Sequence, residues 1–262
     1  MTVKVLIFST AEAAVERSVD YLLEAVRRKP SIVLGLATGG TMLPVYDRVC
    51  ARSALEKVSF AQATTFNLDE YVGLSPDHRC AYRRFMQETL FDHIDIDPSR
   101  THLPRGDAPD PVSEALQYEE RIAAAGGIDL QLLGIGRNGH IGFNEPTSSL
   151  ASRTRIKTLT EDTRQANRHF FERIEDIPRY AITMGVGTIL EAKACVLLAT
   201  GAAKAVAVGK MIEGAVSAAC PATALQLHPQ VTMMLDKAAA AELKLLDYYN
   251  HVHPGGAESE FG

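Results

Sequence analysis

Short apolar runs alternate with segments of helical periodicity along nearly the whole chain. Such runs are typical of buried strands, and they occur at residues 3–9, 31–36, 63–68, 130–133, 181–184, 194–199 and 231–235. Helical patterns occupy residues 11–28 and 201–213, and another runs from a predicted N-cap at Asp110 to the glycine pair at 126–127. Asp236 is predicted to cap a last helix. This alternation predicts an α/β fold, with a mainly parallel sheet covered by helices on both faces.

Length and charge narrow the classes of protein that fit. The chain has 262 residues, enough for one large α/β domain, and we expect residues 1–252 to form it. A net charge of −5 provides no basic field, which argues against nucleic acid and anionic membranes as partners. The segment at residues 253–262 is rich in glycine and polar residues, so we expect a disordered tail there.

The cysteine spacing and the length of the apolar segments indicate the cellular compartment of the protein. The four cysteines are far apart without a C-x-x-C spacing, which argues against a disulfide framework or a zinc site and favours reduced thiols. No apolar stretch is as long as a membrane span, and the first residues enter a strand-like run without a leader-like segment. We therefore expect a cytoplasmic protein.

The loop at residues 134–146 follows a predicted strand and contains four glycines. Its Asn138, His140 and Glu145 supply an amide, an imidazole and a carboxylate, which are suited to moving a proton. Open α/β sheets bind ligands at strand ends of this kind. The loop therefore predicts an enzyme in which a carboxylate orients His140 as a proton relay. The alternative is a loop whose polar groups cap its own backbone.

Another glycine-rich segment, at residues 35–41, joins a predicted strand to a helix. Free backbone N–H groups and the hydroxyls of Thr38 and Thr41 suit a phosphate at a helix N-terminus. The segment matches neither the Walker A spacing nor the dinucleotide spacing. A plain glycine turn is the alternative interpretation.

Charged side chains follow two other predicted strands. Asp69 and Glu70 are adjacent, so in an extended segment one faces a pocket and the other faces away. We assign Asp69 to the pocket, the alternative being a solvated turn. Lys204 comes early in a helix after a strand, where it can reach a phosphate. A further basic cluster comprises Arg153, Arg155, Lys157, Arg164 and Arg168, and the alternation of the first three predicts one face of an extended segment or a solvated surface.

Together these segments resemble the glucosamine-6-phosphate deaminase family over nearly the whole chain. The resemblance rests on LATGGT at 36–41, FNLDEYVGL at 66–74, GIGRNGHIGFNEP at 134–146, SSLASRTRIKT at 148–158 and MGVGT at 184–188. The motifs D-E-Y and G-H-I-G-F-N-E-P in this order are highly specific. Membership implies a three-layer αβα, Rossmann-like fold.

The resemblance also implies an activity, an aldose–ketose isomerisation coupled to loss of ammonia, without metal or other cofactor. The substrate would be D-glucosamine 6-phosphate and the products D-fructose 6-phosphate and ammonia, a step of amino-sugar catabolism. His140 would open the pyranose ring, assisted by Glu145 and Asn138, and Asp69 would transfer the C2 proton to C1. The phosphate would be bound by Thr38, Gly39, Gly40, Thr41, Arg168 and Lys204.

Three positions depart from the family pattern. Position 138 is asparagine where some members have aspartate, so we expect Glu145 alone to polarise His140. Met42 stands where some members have proline, which removes rigidity but no phosphate donor. His169 takes the place of an arginine that reaches the phosphate in many relatives, and Arg168 precedes it. Which of the two contacts the ligand stays open.

Some members of the family are activated by N-acetylglucosamine 6-phosphate at subunit contacts. The resemblance therefore implies a homo-oligomer, a hexamer being one form of it, with such an effector site. The residues of this chain that match the effector site are Ser148, Ser149, Arg155, Lys157 and Thr158.

Two other classes of function fit parts of the pattern. A galactosamine-6-phosphate deaminase or a 6-phosphogluconolactonase would also bind a sugar phosphate, but a lactonase needs no base at C2, so Asp69 separates the two activities. A sugar-phosphate-binding regulator would use the fold without chemistry. Such regulators normally carry a DNA-binding module, for which the sequence offers neither spare length nor a basic helix.

Overall fold

The structure is a computed structural model that describes residues 3–166, 171, 173 and 176–259. Ten strands occur in this part of the chain: β1 (Lys4–Phe8), β2 (Val33–Leu36), β3 (Thr64–Asn67), β4 (Asp69–Tyr71), β5 (Thr101–His102), β6 (Leu130–Leu133), β7 (Arg155–Thr158), β8 (Tyr180–Thr183), β9 (Ala194–Ala199) and β10 (Val231–Asp236). Seven form a parallel sheet in the order β1-β10-β9-β6-β2-β3-β5. The other three form a small antiparallel sheet in the order β4-β8-β7.

Helices cover both faces of the large sheet, so the predicted three-layer αβα, Rossmann-like fold is confirmed. The α-helices of the described residues are α1 (Ala11–Arg28), α2 (Leu43–Glu56), α3 (Tyr82–Thr89), α4 (Pro111–Ala124), α5 (Glu161–Ala166), α6 (Val186–Leu190), α7 (Ala205–Glu213) and α8 (Leu246–Val252). Short 3₁₀ segments lie at Phe91–His93, Pro98–Arg100, Ala202–Lys204, Pro221–Leu227 and Pro254–Gly256.

Helix α1 illustrates how local sequence forms these elements. The Thr10 side chain accepts a hydrogen bond from the backbone N–H of Ala13 and so caps the first turn. The apolar positions at helical spacing are buried against the sheet and α2. Helix α4 begins in the same way, because Asp110 accepts from the N–H of Val112 and Pro111 occupies the first turn.

One strand lies outside the large sheet, and one expectation about an individual element is wrong. The run at 181–184 forms a strand as predicted, but this strand, β8, pairs antiparallel with β4 and β7. Asp236 was expected to cap a last helix, and no helix directly follows it. Its carboxylate accepts from the N–H groups of Gly201 and Ala239, 3.0 and 2.8 Å away. Turns follow Asp236, and α8 begins only at Leu246.

The expected disorder of residues 253–262 is contradicted for residues 253–259. Gly256 is buried against the ring of Phe8. The carboxylate of Glu258 accepts from Lys4, Arg17 and Tyr21 at 2.9, 2.7 and 2.6 Å. Because these partners satisfy the polar side chain, a segment of polar composition is held against the start of the chain.

The described residues contain neither a candidate membrane span nor a candidate metal cluster. None of the helices there is both long and apolar enough to cross a membrane. No three His, Cys, Asp or Glu side chains in the same ranges are grouped as metal ligands.

Candidate active site

A cavity of about 570 Å³ opens where β2 and β6 end and β4 begins. Side chains and loops from distant parts of the sequence meet there because the carboxyl ends of parallel strands lie at one edge of the sheet. The predicted site residues that line this cavity are Thr38, Gly39, Gly40, Thr41, Asp69, Asn138, His140 and Lys204.

The loop between β2 and α2 forms one wall of the cavity. Gly39 has a φ of +103°, a backbone conformation that residues with side chains rarely adopt, and its carbonyl accepts from the N–H of Met42. A Cβ atom added at Gly39 or Gly40 would meet nothing within 4 Å, so the loop borders open space. The loop leads directly into α2, whose N-terminus attracts anions.

Lys204 lies across the cavity, just before α7. Its Nζ donates a hydrogen bond to the carbonyl of Ile135 at 2.6 Å. Burial, and then the positive charge of Arg137, lower the pKa of Lys204. An anion in the cavity would relieve both effects. The other two candidates for the phosphate, Arg168 and His169, lie outside the described residues.

Asp69 begins β4 and is 5% exposed. Burial, and then the charge of Glu70, raise the pKa of Asp69 to about 8. A carboxyl group with a pKa in this range is a far stronger base than an exposed one. The backbone at Gly142 approaches closely, since a Cβ there would lie 3.3 Å from Asp69 Oδ2.

Glu70 lies on the opposite face of β4 and has a structural role. Its carboxylate accepts from the backbone N–H groups of Tyr71, Tyr82 and Arg83 at 2.8, 2.9 and 2.8 Å. Two of these groups begin α3, whose N-cap residue Ala81 makes no side-chain cap. Glu70 therefore caps this helix from a neighbouring strand. Burial outweighs these bonds and raises the pKa of Glu70 to about 7.

His140 is held by the side chain of Asn138. Imidazole Nδ1 lies 2.7 Å from Asn138 Oδ1 and 3.6 Å from Glu145 Oε2. Asn138 Nδ2 donates to Glu145 Oε2 at 2.8 Å. The amide therefore stands between the two groups and makes the closer contact with the ring, while Glu145 is the charged partner, so polarisation of His140 by Glu145 stays a prediction.

Glu145 lies behind Asn138 and is 1% exposed. The hydroxyls of Thr160 and Thr163 donate to its Oε1. Burial would raise the pKa of Glu145, but its interactions with His140, Thr163 and Asn138 outweigh burial and lower the pKa to about 2. This carboxylate is therefore ionised at neutral pH and fixes the amide of Asn138 by accepting from it.

Gly136 makes room for the imidazole. A Cβ atom added at this position would lie 2.2 Å from His140 Cε1, so only glycine fits without displacing the ring. The backbone N–H of Gly136 also donates to the carbonyl of His140 at 2.9 Å and closes the loop. The glycine content of the loop thus has a steric reason beyond turn formation.

The five residues matched to an effector site lie near the loop and in β7. Arg155 Nη1 donates to Asn144 Oδ1 at 2.8 Å, and Asn144 Nδ2 donates to the carbonyl of Met184 at 2.7 Å. Ser148 Oγ and Arg155 Nη2 are buried without a hydrogen-bond partner in the described part of the chain. Burial, and then the charge of Arg155, lower the pKa of Lys157. Ser149 and Thr158 are exposed.

Several cavity residues were not anticipated from the sequence. Tyr82, the first residue of α3, lines the cavity, and its hydroxyl lies 3.3 Å from that of Tyr71. No spacing pattern connects Tyr82 with the strand-end motifs, because the position of α3 depends on the cap supplied by Glu70. Arg137, Thr163 and Gln165 also line the cavity.

Comparison with known proteins identifies the family of the chain. The family model for glucosamine-6-phosphate isomerases/6-phosphogluconolactonase matches residues 8–234. A glucosamine-6-phosphate deaminase of Hahella chejuensis is 53% identical over 249 residues, which are 95% of this chain and 95% of that protein.

Solved structures of similar chains indicate the same family. One described as a monomeric glucosamine-6-phosphate deaminase aligns with a TM-score of 0.90 and 46% identity, over 91% of this chain and 99% of that one. The 6-phosphogluconolactonase of Trypanosoma brucei aligns with a TM-score of 0.72 and 19% identity, over 92% and 99% of the two chains, which shows the fold alone. The chain therefore belongs to the glucosamine-6-phosphate isomerase/6-phosphogluconolactonase family.

Proposed function

We propose that the chain converts D-glucosamine 6-phosphate and water to D-fructose 6-phosphate and ammonia, a step of amino-sugar catabolism. The observation that carries the proposal is one cavity lined by a buried carboxyl group, an imidazole and a glycine-rich loop at a helix N-terminus. Its 53% identity to a glucosamine-6-phosphate deaminase supports the same substrate.

The phosphate group of the substrate binds to the loop of Thr38–Thr41 and to Lys204. Backbone N–H groups and the α2 dipole favour a dianion at the loop. The Nζ of Lys204, which already donates to the carbonyl of Ile135, is oriented along the cavity wall. On the family pattern, a further phosphate contact falls to Arg168 or His169. The bound phosphate positions the sugar so that its C1 and C2 atoms lie between His140 and Asp69.

His140 opens the pyranose ring. Asn138 Oδ1 accepts a hydrogen bond from Nδ1–H, which leaves Nε2 with a lone pair. Nε2 takes the proton of the O1 hydroxyl and returns a proton to the ring oxygen, so the C1–O5 bond breaks and an open-chain aldehyde forms. Glu145 stabilises the transient imidazolium through Asn138.

Asp69 then acts as the base at C2. Its carboxylate removes the C2 proton while O1 takes up a proton, which gives an enolamine, and the carboxylic acid then returns the C2 proton to C1 as the amino group releases a proton. The product is an imine at C2, and water hydrolyses it to the ketone and ammonia. No electrons leave the substrate, so the reaction requires no redox cofactor. A base with a pKa near 8 suits a weakly acidic carbon.

A coupled assay for ammonia and fructose 6-phosphate tests this function. The wild-type chain should release the two products in equal amounts from glucosamine 6-phosphate, without added metal or nucleotide. Asp69→Asn should lower kcat by roughly 10²- to 10⁴-fold, because the base at C2 is lost. Hydrolysis of 6-phosphogluconolactone would indicate the lactonase instead. Tight binding of glucosamine 6-phosphate without ammonia release would indicate a regulator.

The same proposal includes that the chain forms a homo-oligomer, which N-acetylglucosamine 6-phosphate activates. The buried, unpartnered Ser148 Oγ and Arg155 Nη2 of the described chain are free to bind such an effector, together with Ser149, Lys157 and Thr158. The relative at 46% identity is described as monomeric, so oligomer state has to be measured together with kinetics. Sedimentation showing an oligomer and sigmoidal kinetics that the effector makes hyperbolic would support it. A monomer with hyperbolic kinetics that ignore the effector would exclude it.

A cytoplasmic location completes the proposal. Four cysteines without a disulfide support it. Fractionation of the native host, followed by detection of the chain, is the measurement.

A further inference from the structure

A second cavity, of about 310 Å³, lies on the other side of β4 from the active site. Residues from the end of β5, the following loop, α3 and α4 enclose it. Glu70 faces this cavity, whereas the preceding residue Asp69 faces the active site. The two cavities are therefore separated by a single short strand.

Three arginines from three separate parts of the chain line this second cavity. Arg83 belongs to α3, Arg105 to the loop after β5, and Arg121 to α4. Arg105 lies 3.5 Å from Asp107, and Arg121 pairs with the buried Glu114. These two ion pairs leave donors of both guanidinium groups available, because a guanidinium has five N–H donors.

Arg83 is half-buried and has no ion pair in the described part of the chain. Its Nη1 donates only to the neutral carbonyl and hydroxyl oxygens of Thr101, both at 3.0 Å. Burial lowers the pKa of Arg83, which the charge of Glu70 partly offsets. A half-buried cation without a paired carboxylate is costly, and an anion in the cavity would compensate it.

The carboxylate that faces the cavity does not prevent anion binding. Glu70 is 2% exposed, and both its oxygens accept backbone N–H groups. Its pKa is raised to about 7 by burial, so it is partly neutral near neutral pH. The anion would therefore encounter the three guanidinium groups rather than an open carboxylate.

The wall of this cavity is fixed by a close backbone approach. A Cβ atom at Gly106 would lie 2.0 Å from the carbonyl oxygen of Tyr71, so the loop can reach β4 only with glycine there. The carbonyl of Gly106 accepts from the N–H of Gly73 at 2.8 Å. The ring of His102 stacks on Phe66, with 4.6 Å between centroids. These contacts hold the cavity in shape before a ligand enters.

We propose that Arg83, Arg105 and Arg121 form a second anion site, which takes a small phosphate-class anion, either inorganic phosphate or a phosphomonoester. Guanidinium groups approach from three elements, and their planar forks match the oxygens of a tetrahedral oxyanion. The volume lies at the lower end of the range for ligand sites, which fits a small ligand. The site is separate from the substrate phosphate loop and does not depend on the proposed reaction.

Binding of radiolabelled inorganic phosphate to the full chain, measured by equilibrium dialysis, tests this site. We expect one equivalent in each of the two cavities. Arg83→Gln should weaken one of them about tenfold or more, because a charged hydrogen-bond donor is lost. Lys204→Met should weaken the other. The matched control is Arg84→Gln, since Arg84 neighbours Arg83 on α3 but pairs with Glu88 and is exposed, and it should bind as wild type.

A second variant covers the case in which Arg83→Gln does not fold. The side chain of Arg105 is 62% exposed, so Arg105→Gln should preserve the fold and weaken the same equivalent about threefold or more. If glycerol phosphate displaces the label at a lower concentration than inorganic phosphate does, the ligand is a phosphomonoester. If inorganic phosphate displaces the label at the lower concentration, the ligand is inorganic phosphate. A single equivalent that only Lys204→Met weakens would overturn the proposal, as would unchanged binding in both arginine variants.

Discussion

The Nδ1 atom of His140 lies 2.7 Å from the amide oxygen of Asn138. The amide nitrogen of Asn138 donates to the ionised Glu145, and an amide turned the other way would set two acceptors against each other. Because the amide oxygen only accepts, Nδ1 must carry the proton, and Nε2 is the basic nitrogen. Asn138 thereby selects the tautomer of His140.

Substitution of Asn138 tests this selection. Asn138→Ala should lower kcat for glucosamine 6-phosphate roughly 10- to 100-fold, because the ring loses its orientation. Asn138→Asp should stay within about tenfold of wild type, since a carboxylate also accepts from Nδ1. Imidazole ¹⁵N chemical shifts should report a single Nδ1–H tautomer in wild type and a mixture in Asn138→Ala. A single tautomer in both proteins would contradict the assignment.

The carboxyl group of Asp69 should titrate far above its ordinary range. Burial and the charge of Glu70 raise the pKa of Asp69 to about 8. Because the ionised form is the base, kcat/KM should fall as pH decreases below about 8. Carboxyl ¹³C NMR of the free protein measures the titration directly, and Asp69→Asn identifies the signal. A midpoint near 4 would contradict the prediction.

The same carboxyl group should make stability depend on pH. A folded-state pKa of about 8 means that, between pH 4 and 8, the folded chain binds a proton at Asp69 that the unfolded chain has lost. The free energy of unfolding therefore decreases as pH rises through this window. Asp69→Asn removes this decrease in the free energy of unfolding. The Tm of the variant should therefore exceed the Tm of wild type by more at pH 8 than at pH 5. Thermal melts at both values check this, and an equal gain would exclude it.

Gly136 should be intolerant of a side chain. The Cβ of Gly136→Ala would lie 2.2 Å from His140 Cε1 and displace the ring, which should lower kcat about 100-fold. Gly134→Ala is the matched control, because a Cβ there meets Met42 Cε at an ordinary 3.5 Å. Steady-state kinetics of both variants provide the comparison. Similar losses in the two would show that the steric contact with the imidazole is unimportant.

Lys204 should contribute to substrate binding more than to chemistry. Lys204→Met removes a charged donor to the phosphate, so KM should rise roughly 10- to 100-fold with a smaller change in kcat. Lys210, exposed on the same helix α7, supplies the control variant Lys210→Met, which should match wild type. An unchanged KM in Lys204→Met would show that this lysine does not bind the substrate phosphate.

The sequence predicts that one cavity contains Asp69, His140 and the Thr38–Thr41 loop. Each comes at the end of an apolar run, and parallel strands bring such ends to one edge. The small antiparallel sheet does not follow, because β4 and β7 have three and four residues, too few for a periodic signal.

Other features depend on contacts that spacing does not encode. Tyr82 enters the cavity because Glu70 caps α3 from another element. The order of contacts among His140, Asn138 and Glu145 depends on loop geometry, which sets Nδ1 of the ring 2.7 Å from the amide and 3.6 Å from the carboxylate. Residues 253–259 are held by Glu258, whose three partners lie near the start of the chain, so local composition misleads there.

The two proton-handling groups are carried by different sheets. Asp69 is part of the small antiparallel sheet, whereas the loop with His140 leaves the large parallel one. The two sheets are nevertheless joined at the site, because the N–H of Leu68 donates to the carbonyl of Leu36 in β2 and the N–H of Phe143 donates to Thr183 Oγ1 in β8, both at 3.0 Å. Substitutions at this junction should therefore displace the base at C2 and the ring-opening imidazole together.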